Sequence, residues 1–182
     1  GTASTMKSLS EMLGMMLPGT SSIPATHASR KQAAEATGRR IVDMVREHLT
    51  PSRLMTEQAF HNAIKLVAAL GGSTNAAIHL TAIAGRLGIR IPIERYEELT
   101  EGIPLIVNLQ PSGSHSMDDF FKAGGLRKVI RNLLPKLDAD CLTCTGETLR
   151  ETYGRDLPDY ADSDEVISTL DAPFKEKSGL AV

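Results

Sequence analysis

Apolar residues recur at helical spacing through the middle of the chain. Phe60, Ala63, Ile64, Val67 and Leu70 form one such series, and Ala76, Ala77, Leu80, Ile83, Ala84 and Leu87 form a second after a short interruption. The pattern predicts two amphipathic helices meeting at Gly71-Gly72-Ser73-Thr74-Asn75. Gly71 is free to take the left-handed conformation that closes the first helix, Gly72 lets the chain turn tightly, and Ser73 or Thr74 is placed to cap the second. Such a helix start, with free backbone N–H groups beside hydroxyls and an amide, favours a carboxylate or phosphate. The same run also serves ordinary helix junctions.

The flanking pattern adds further elements. Met6, Leu9, Met12, Leu13 and Met16 make an amphipathic stripe that stops at Pro18-Gly19, with Ser4 or Thr5 as its cap. A long helix is expected from Thr26 to His48, its apolar face running through Ala33, Ala34, Ile41, Val42 and Val45. Ile89 to Ile93 alternates like a short edge strand or an extended connection, and Glu94 to Glu101 has the polarity of a solvated helix. Leu105-Ile106-Val107-Asn108-Leu109 is the clearest strand, and it delivers the loop Gln110-Pro111-Ser112-Gly113-Ser114-His115. Ligand contacts in α/β proteins are often placed on such loops. Helices follow from Met117 to the Gly124-Gly125 break and from Leu126 to Leu134, with Asp118 and Asp119 complementing the dipole of the first. Asp140 to Gly146 has the pattern of a short strand entering a turn. From Tyr153 onward the chain is polar, with Asp159, Asp162, Asp164 and Glu165 marking a surface segment, and Val166 to Phe174 forms a last extended piece. The fold class implied is α/β: a helix-rich part of a layered domain with a short, mostly parallel sheet.

Composition narrows the setting. The 182 residues are 41% hydrophobic and 23% charged, a balance typical of soluble globular proteins and enough for one domain with a real core. A net charge of −2 without a basic block argues against nucleic acid as a partner. No apolar run has the length to cross a bilayer and no secretory leader is evident, so a cytoplasmic location is expected. With no Trp and aromatic residues at 4%, Ala, Leu, Ile, Val and Met must fill the core. Cys141 and Cys144 are too few for a disulfide framework, and no second cysteine pair or nearby histidine completes a metal site around them. The chain begins without Met and ends at Gly179-Leu180-Ala181-Val182 with no polar tail, which fits a segment of a larger protein.

Separated motifs then agree on one family. Gly1-Thr2-Ala3-Ser4-Thr5-Met6, Gly71 to Ala76 with His79-Leu80, Pro111-Ser112-Gly113 with Met117 to Phe120, and Ala123-Gly124-Gly125-Leu126 resemble the dihydroxy-acid and 6-phosphogluconate dehydratases. Leu142 to Leu149 and the closing Gly179 to Val182 extend the match. The resemblance implies that residues 1–182 are the later part of an N-terminal α/β domain, with 171–182 leading toward a further C-terminal domain. It implies a hydro-lyase that removes water from a 2,3-dihydroxy carboxylate to give a 2-keto acid. The resemblance further implies an iron–sulfur cluster, of the 2Fe-2S type, and Mg²⁺, which would make the C2 proton easier to remove and the C3 hydroxyl a better leaving group. The cluster cysteines, the magnesium ligands and the catalytic serine of the family fall outside these residues, so no catalytic residue and no metal ligand is expected here. The Gly-Thr-Ala-Ser-Thr-Met and Ala-Gly-Gly-Leu runs look more like the sugar-acid branch than the dihydroxy-acid dehydratase of branched-chain amino-acid biosynthesis. A homo-oligomer acting on a small hydroxy acid is implied as well. The pocket-lining residues expected are Thr2, Ser4 and Thr5, then Ser73, Thr74 and Asn75, then Ser112 and His115. A non-catalytic binding or assembly module is the contrasting expectation.

Overall fold

The computed structural model describes residues 1–155 and 164–177. Asp159, Asp162 and the Gly179 to Val182 motif lie outside the described residues. Helix α4 (Glu57–Leu70) is the centre of the fold. Phe60, Ala63, Ile64, Leu66, Ala68 and Ala69 on it are fully buried, and α1 (Thr2–Met12), α5 (Asn75–Arg86) and α6 (Ile93–Thr100) pack against it. The faces it buries are apolar apart from Asn62, whose amide exchanges hydrogen bonds with the Asp138 backbone at 2.9 Å, and its alanines let neighbours approach closely. Thr56 caps its start, accepting the Ala59 N–H at 3.3 Å, and Gly71 closes its end with φ 60°. The predicted junction is therefore present, with α5 beginning one turn further on.

Helices α7 (Met117–Lys122) and α8 (Gly125–Leu133) follow the expected breaks. Ser116 and Asp119 form a reciprocal capping box on α7, so Asp119 works as a cap partner as well as a dipole charge. Thr148 and Glu151 do the same for α9 (Leu149–Tyr153), a helix the polar composition of that region conceals. Tyr153 is 1% exposed, which corrects the expectation of a surface segment starting there. Its hydroxyl donates to Glu11 at 3.0 Å, and Glu11 is itself fully buried and accepts the N–H groups of Gly19 and Ser21 at 2.7 and 2.9 Å.

The sheet is much reduced. Leu105 and Val107 pair antiparallel with Lys175 and Ile167, Leu109 pairs parallel with His115, and Leu142 pairs antiparallel with Thr148, each as an isolated bridge. Among the described residues these pairings are mostly antiparallel, not mostly parallel. One donor of the segment is diverted: Ile106 N–H donates to Ala69 O at the end of α4, at 3.0 Å, while Ile106 O still accepts the Ser168 N–H at 2.9 Å. Ile89 to Pro92 is the extended connection, and no edge strand forms there.

Helix α2 (Ser29–Arg46) also differs from expectation. It rests on the protein through Met44 and through Arg40, which donates to Cys144 O and pairs with Glu47. Ala34, Ile41, Val42 and Val45, expected to face the core, are exposed. Periodicity marks which side of a helix is apolar, not whether this chain supplies enough surface to cover it. Among the described residues no helix is long and apolar enough to cross a membrane.

Gly85, inside α5, offers a clean stability test. A Cβ there meets nothing within 4 Å, so Gly85→Ala should stabilise the fold by about 0.5–1 kcal/mol through the unfolded chain's lost freedom. A higher urea midpoint at unchanged slope is the expected observation; a lower midpoint would show that α5 carries a hidden contact.

Candidate functional site

Two helix starts and one loop converge. The N-terminal turn of α1, the Gly71 to Thr74 junction before α5, and the loop from Leu109 to Ser112 enclose a cavity of about 300 Å³ floored by Met117 and Phe120. Thr5 lies at the closest approach. Its Oγ1 accepts the Ser73 N–H at 3.1 Å and donates to Gly1 O at 3.3 Å. A Cβ on Gly72 would sit 3.0 Å from Thr5 Cγ2 and 3.3 Å from Val67 Cγ1, so a side chain there would press Thr5 and Val67 aside by a few tenths of an ångström. Thr2 Oγ1 shares a hydrogen bond with Ser73 Oγ at 3.0 Å and accepts one from Asn75 Nδ2 at 3.0 Å. Ser112 completes the ring, its Oγ lying 3.3 Å from where a Gly71 Cβ would stand.

The helix start at α5 is less open than its sequence implies. Asn75 N–H donates to Ser73 Oγ at 3.3 Å, Ala76 N–H to Ser73 O and Ala77 N–H to Thr74 O. These donors are turned inward to local acceptors. Thr74, at the cap position, makes no side-chain cap hydrogen bond and lines the cavity instead. The wall thus owes its polarity to hydroxyls more than to free N–H groups.

Thr2, Ser4, Thr5, Ser73, Thr74 and Ser112 all line this cavity, and Asn75 supports Thr2 from beside it. His115 is not brought to the wall. Its backbone closes the loop, donating to Asn108 O and accepting from Gln110 N–H. Its ring lies near Asp119, whose carboxyl is held below its usual range by the hydroxyl and N–H of Ser116 first and by His115 to a lesser degree. Ser8 was not anticipated. It is 5% exposed, donates to Ser4 O and lines the cavity one turn beyond Thr5. The spacing of Thr2, Thr5 and Ser8 along one helix face is the signal that could have found it.

No lining residue among those described carries a titratable side chain. The wall can donate to a carboxylate or accept from a substrate hydroxyl, since each Ser or Thr does both. It offers no general base or acid. Nor does it fit an iron–sulfur cluster or Mg²⁺ as a ligand set, because these take thiolates and carboxylate oxygens. The cysteines lie elsewhere and are buried. Burial pushes the Cys141 thiol up to about 11, and burial raises Cys144 as well, so both are neutral thiols at physiological pH.

Comparison with known proteins places this arrangement. Residues 1–152 match the family described as Dihydroxy-acid/6-phosphogluconate dehydratase N-terminal. A dihydroxy-acid dehydratase of Ignicoccus hospitalis is 45% identical over 184 residues, which cover 100% of this chain and 33% of that protein. An L-arabinonate dehydratase of Rhizobium leguminosarum is 46% identical over 174 residues, covering 94% of this chain and 30% of that protein. A dihydroxy-acid dehydratase of Methanothermobacter thermautotrophicus is 40% identical over the whole of this chain. The chain spans about a third of the length of these relatives. On the family match across most of its residues, the chain belongs to the dihydroxy-acid and 6-phosphogluconate dehydratases and corresponds to their N-terminal region.

Proposed function

We propose that the protein containing this chain is a hydro-lyase that dehydrates a 2,3-dihydroxy carboxylate to a 2-keto acid, with a sugar acid as substrate. The observation that carries the reading is the convergence of Thr2, Thr5, Ser73, Thr74 and Ser112 on one cavity, in a family whose relatives are named dehydratases. In this reading the chain supplies a wall that binds and orients, while proton removal falls to residues outside it. A wall of hydroxyls matches successive hydroxyls of a sugar acid, donor to acceptor. Beside a branched aliphatic acid some of those groups would lose their partners, at a cost of about 1–3 kcal/mol each if buried.

The dihydroxy-acid dehydratase of branched-chain amino-acid biosynthesis is the second reading, supported by the names of the Ignicoccus and Methanothermobacter relatives. An iron–sulfur cluster and Mg²⁺, with ligands outside this chain, belong to either proposal and would supply Lewis acidity for loss of the hydroxyl. So do a cytoplasmic location and a further domain beyond residue 182.

The test uses full-length protein, prepared anaerobically with iron, sulfide and Mg²⁺. It should form a 2-keto acid from L-arabinonate faster than from 2,3-dihydroxy-3-methylbutanoate. The reverse order selects the second reading, and no product from either class sinks both in favour of a binding module. Thr74→Val adds a check on the wall. Because Thr74 makes no cap bond, stability should change by less than about 0.5 kcal/mol. Turnover should fall roughly 3- to 10-fold. A comparable loss of both would show that Thr74 serves the fold.

A further inference from the structure

Thr2 and Ser73 each receive a hydrogen from the same residue. Asn75 Nδ2 donates to Thr2 Oγ1 at 3.0 Å, and Asn75 N–H donates to Ser73 Oγ at 3.3 Å. The two hydroxyl oxygens lie 3.0 Å apart and share one further hydrogen bond. A Ser or Thr hydroxyl has one hydrogen to give and two lone pairs with which to accept. If Thr2 donates to Ser73, the Ser73 oxygen has both lone pairs engaged and keeps its own hydrogen, while Thr2 keeps one lone pair. If Ser73 donates to Thr2, the roles exchange. In both states the pair is left with one hydrogen and one lone pair, on neighbouring oxygens. Both residues line the cavity, so these are the groups that meet a ligand there.

That remainder distinguishes one ligand group from another. A carboxylate oxygen can only accept, so it satisfies the free hydrogen but sets its charge against the free lone pair. A hydroxyl accepts from one oxygen of the pair and donates to the other. Because the shared hydrogen can lie in either direction, it can do so from either side. Neighbouring hydroxyls have already spent their hydrogens: Thr5 donates to Gly1 O and Ser8 to Ser4 O. Met117 and Phe120 add an apolar floor, suited to the C–H side of a carbon chain. We propose that Thr2 and Ser73 form a subsite that reads a hydroxyl of the substrate and leaves its carboxylate to other groups. Asn75, which lies beside the cavity and not in its wall, is the positioning residue: its two N–H donors fix what the pair has left to offer. Without Nδ2, Thr2 regains a lone pair and the pair loses its one-donor, one-acceptor pattern. The inference rests on the hydroxy-acid reading of the cavity and names which of its groups recognise the hydroxyl.

The experiment uses the full-length protein, prepared anaerobically with iron, sulfide and Mg²⁺, and two five-carbon probes. L-Arabinitol has hydroxyls and no carboxylate, pentanoate has the reverse, and neither carries both groups that dehydration needs. Dissociation constants are read by titration calorimetry. Thr2→Val removes one oxygen at nearly constant shape and should weaken L-arabinitol about 10-fold while leaving pentanoate within about 2-fold. Thr2→Ser should bring L-arabinitol back to within about 2-fold of the native protein. Asn75→Ala should repeat the selective loss, at about 3-fold, with the melting temperature close to native, and it decides the matter if Thr2→Val does not fold. Weakened pentanoate with unchanged L-arabinitol would overturn the proposal by showing that the pair holds the carboxylate. Equal changes for both probes, or no binding of L-arabinitol to the native protein, would overturn it as well. Formation of a 2-keto acid from L-arabinonate tests the dehydratase reading separately. Turnover without the selective loss rejects the subsite alone, and the selective loss without turnover rejects that reading alone.

Discussion

Replacing Glu11 by Ala is expected to destabilise the fold by about 3–5 kcal/mol, among the largest single effects available in this chain. Glu11 is fully buried, and its two oxygens accept the Gly19 N–H, the Ser21 N–H and the Tyr153 hydroxyl. Removing the carboxyl strands these donors away from water and opens a space at the foot of α1. Because α1 carries Thr2, Thr5 and Ser8 at its other end, the loss should also loosen the cavity wall. Urea unfolding measures it, and a change under 1 kcal/mol would mean that water or a neighbour replaces the carboxyl.

The same residue should leave a pH signature. Burial is the largest influence on Glu11 and raises its pKa above the ordinary 4.5, while hydrogen bonds from Ser21, Gly19 and Tyr153 work in the opposite direction. With the net shift upward, the folded chain holds this proton more tightly than the unfolded chain does. The resulting stability is fully present below pH 4.5 and is lost as pH rises through the folded value. Glu11→Gln keeps an acceptor and cannot titrate. Its stability relative to the native protein should therefore improve as pH rises from 4.5. A difference that stays constant from pH 4 to 8 would contradict the sign of the shift.

What the sequence reveals and conceals follows the range of the interactions. The α4–α5 junction is legible because its causes are local: apolar spacing, a glycine that closes one helix and hydroxyls that open the next. The Glu11–Tyr153 bond joins residues 142 apart, and no local rule points from one to the other. A glutamate in an amphipathic helix normally belongs to the wet face, and only the folded chain shows this one inside. Alternation in Leu105 to Leu109 marks an extended segment but names no partners, which is why a mostly parallel sheet was expected where isolated bridges form. The cavity lies between these cases. Its hydroxyls are readable motif by motif, while His115, in an equally suggestive loop, is not among the residues that line it.

Gly113→Ala is the second large effect expected, and it bears directly on the site. A Cβ at Gly113 would stand 2.3 Å from Asn108 Oδ1 and 2.6 Å from both Asn108 C and Leu109 N. The side-chain atom could swing aside, but the backbone atoms cannot move without breaking what holds the loop. Gly113 N–H donates to Leu109 O at 2.6 Å, and Asn108 Oδ1 accepts the Ser114 N–H at 2.9 Å. Asn108 Nδ2 also donates to Glu165 O at 3.2 Å, tying the loop to the segment that carries Val166 and Ile167. The methyl group must therefore displace the loop that carries Gln110 and Ser112 into the cavity. A destabilisation of about 3 kcal/mol is expected, at the upper end for overpacking. In the full-length protein, loss of turnover should persist at temperatures where the variant remains folded, because Ser112 no longer closes the wall. Gly85→Ala, which adds the same methyl group in open space, supplies the control. If Gly113→Ala behaves like Gly85→Ala in both stability and turnover, the close packing of this loop against Asn108 is not what shapes the pocket.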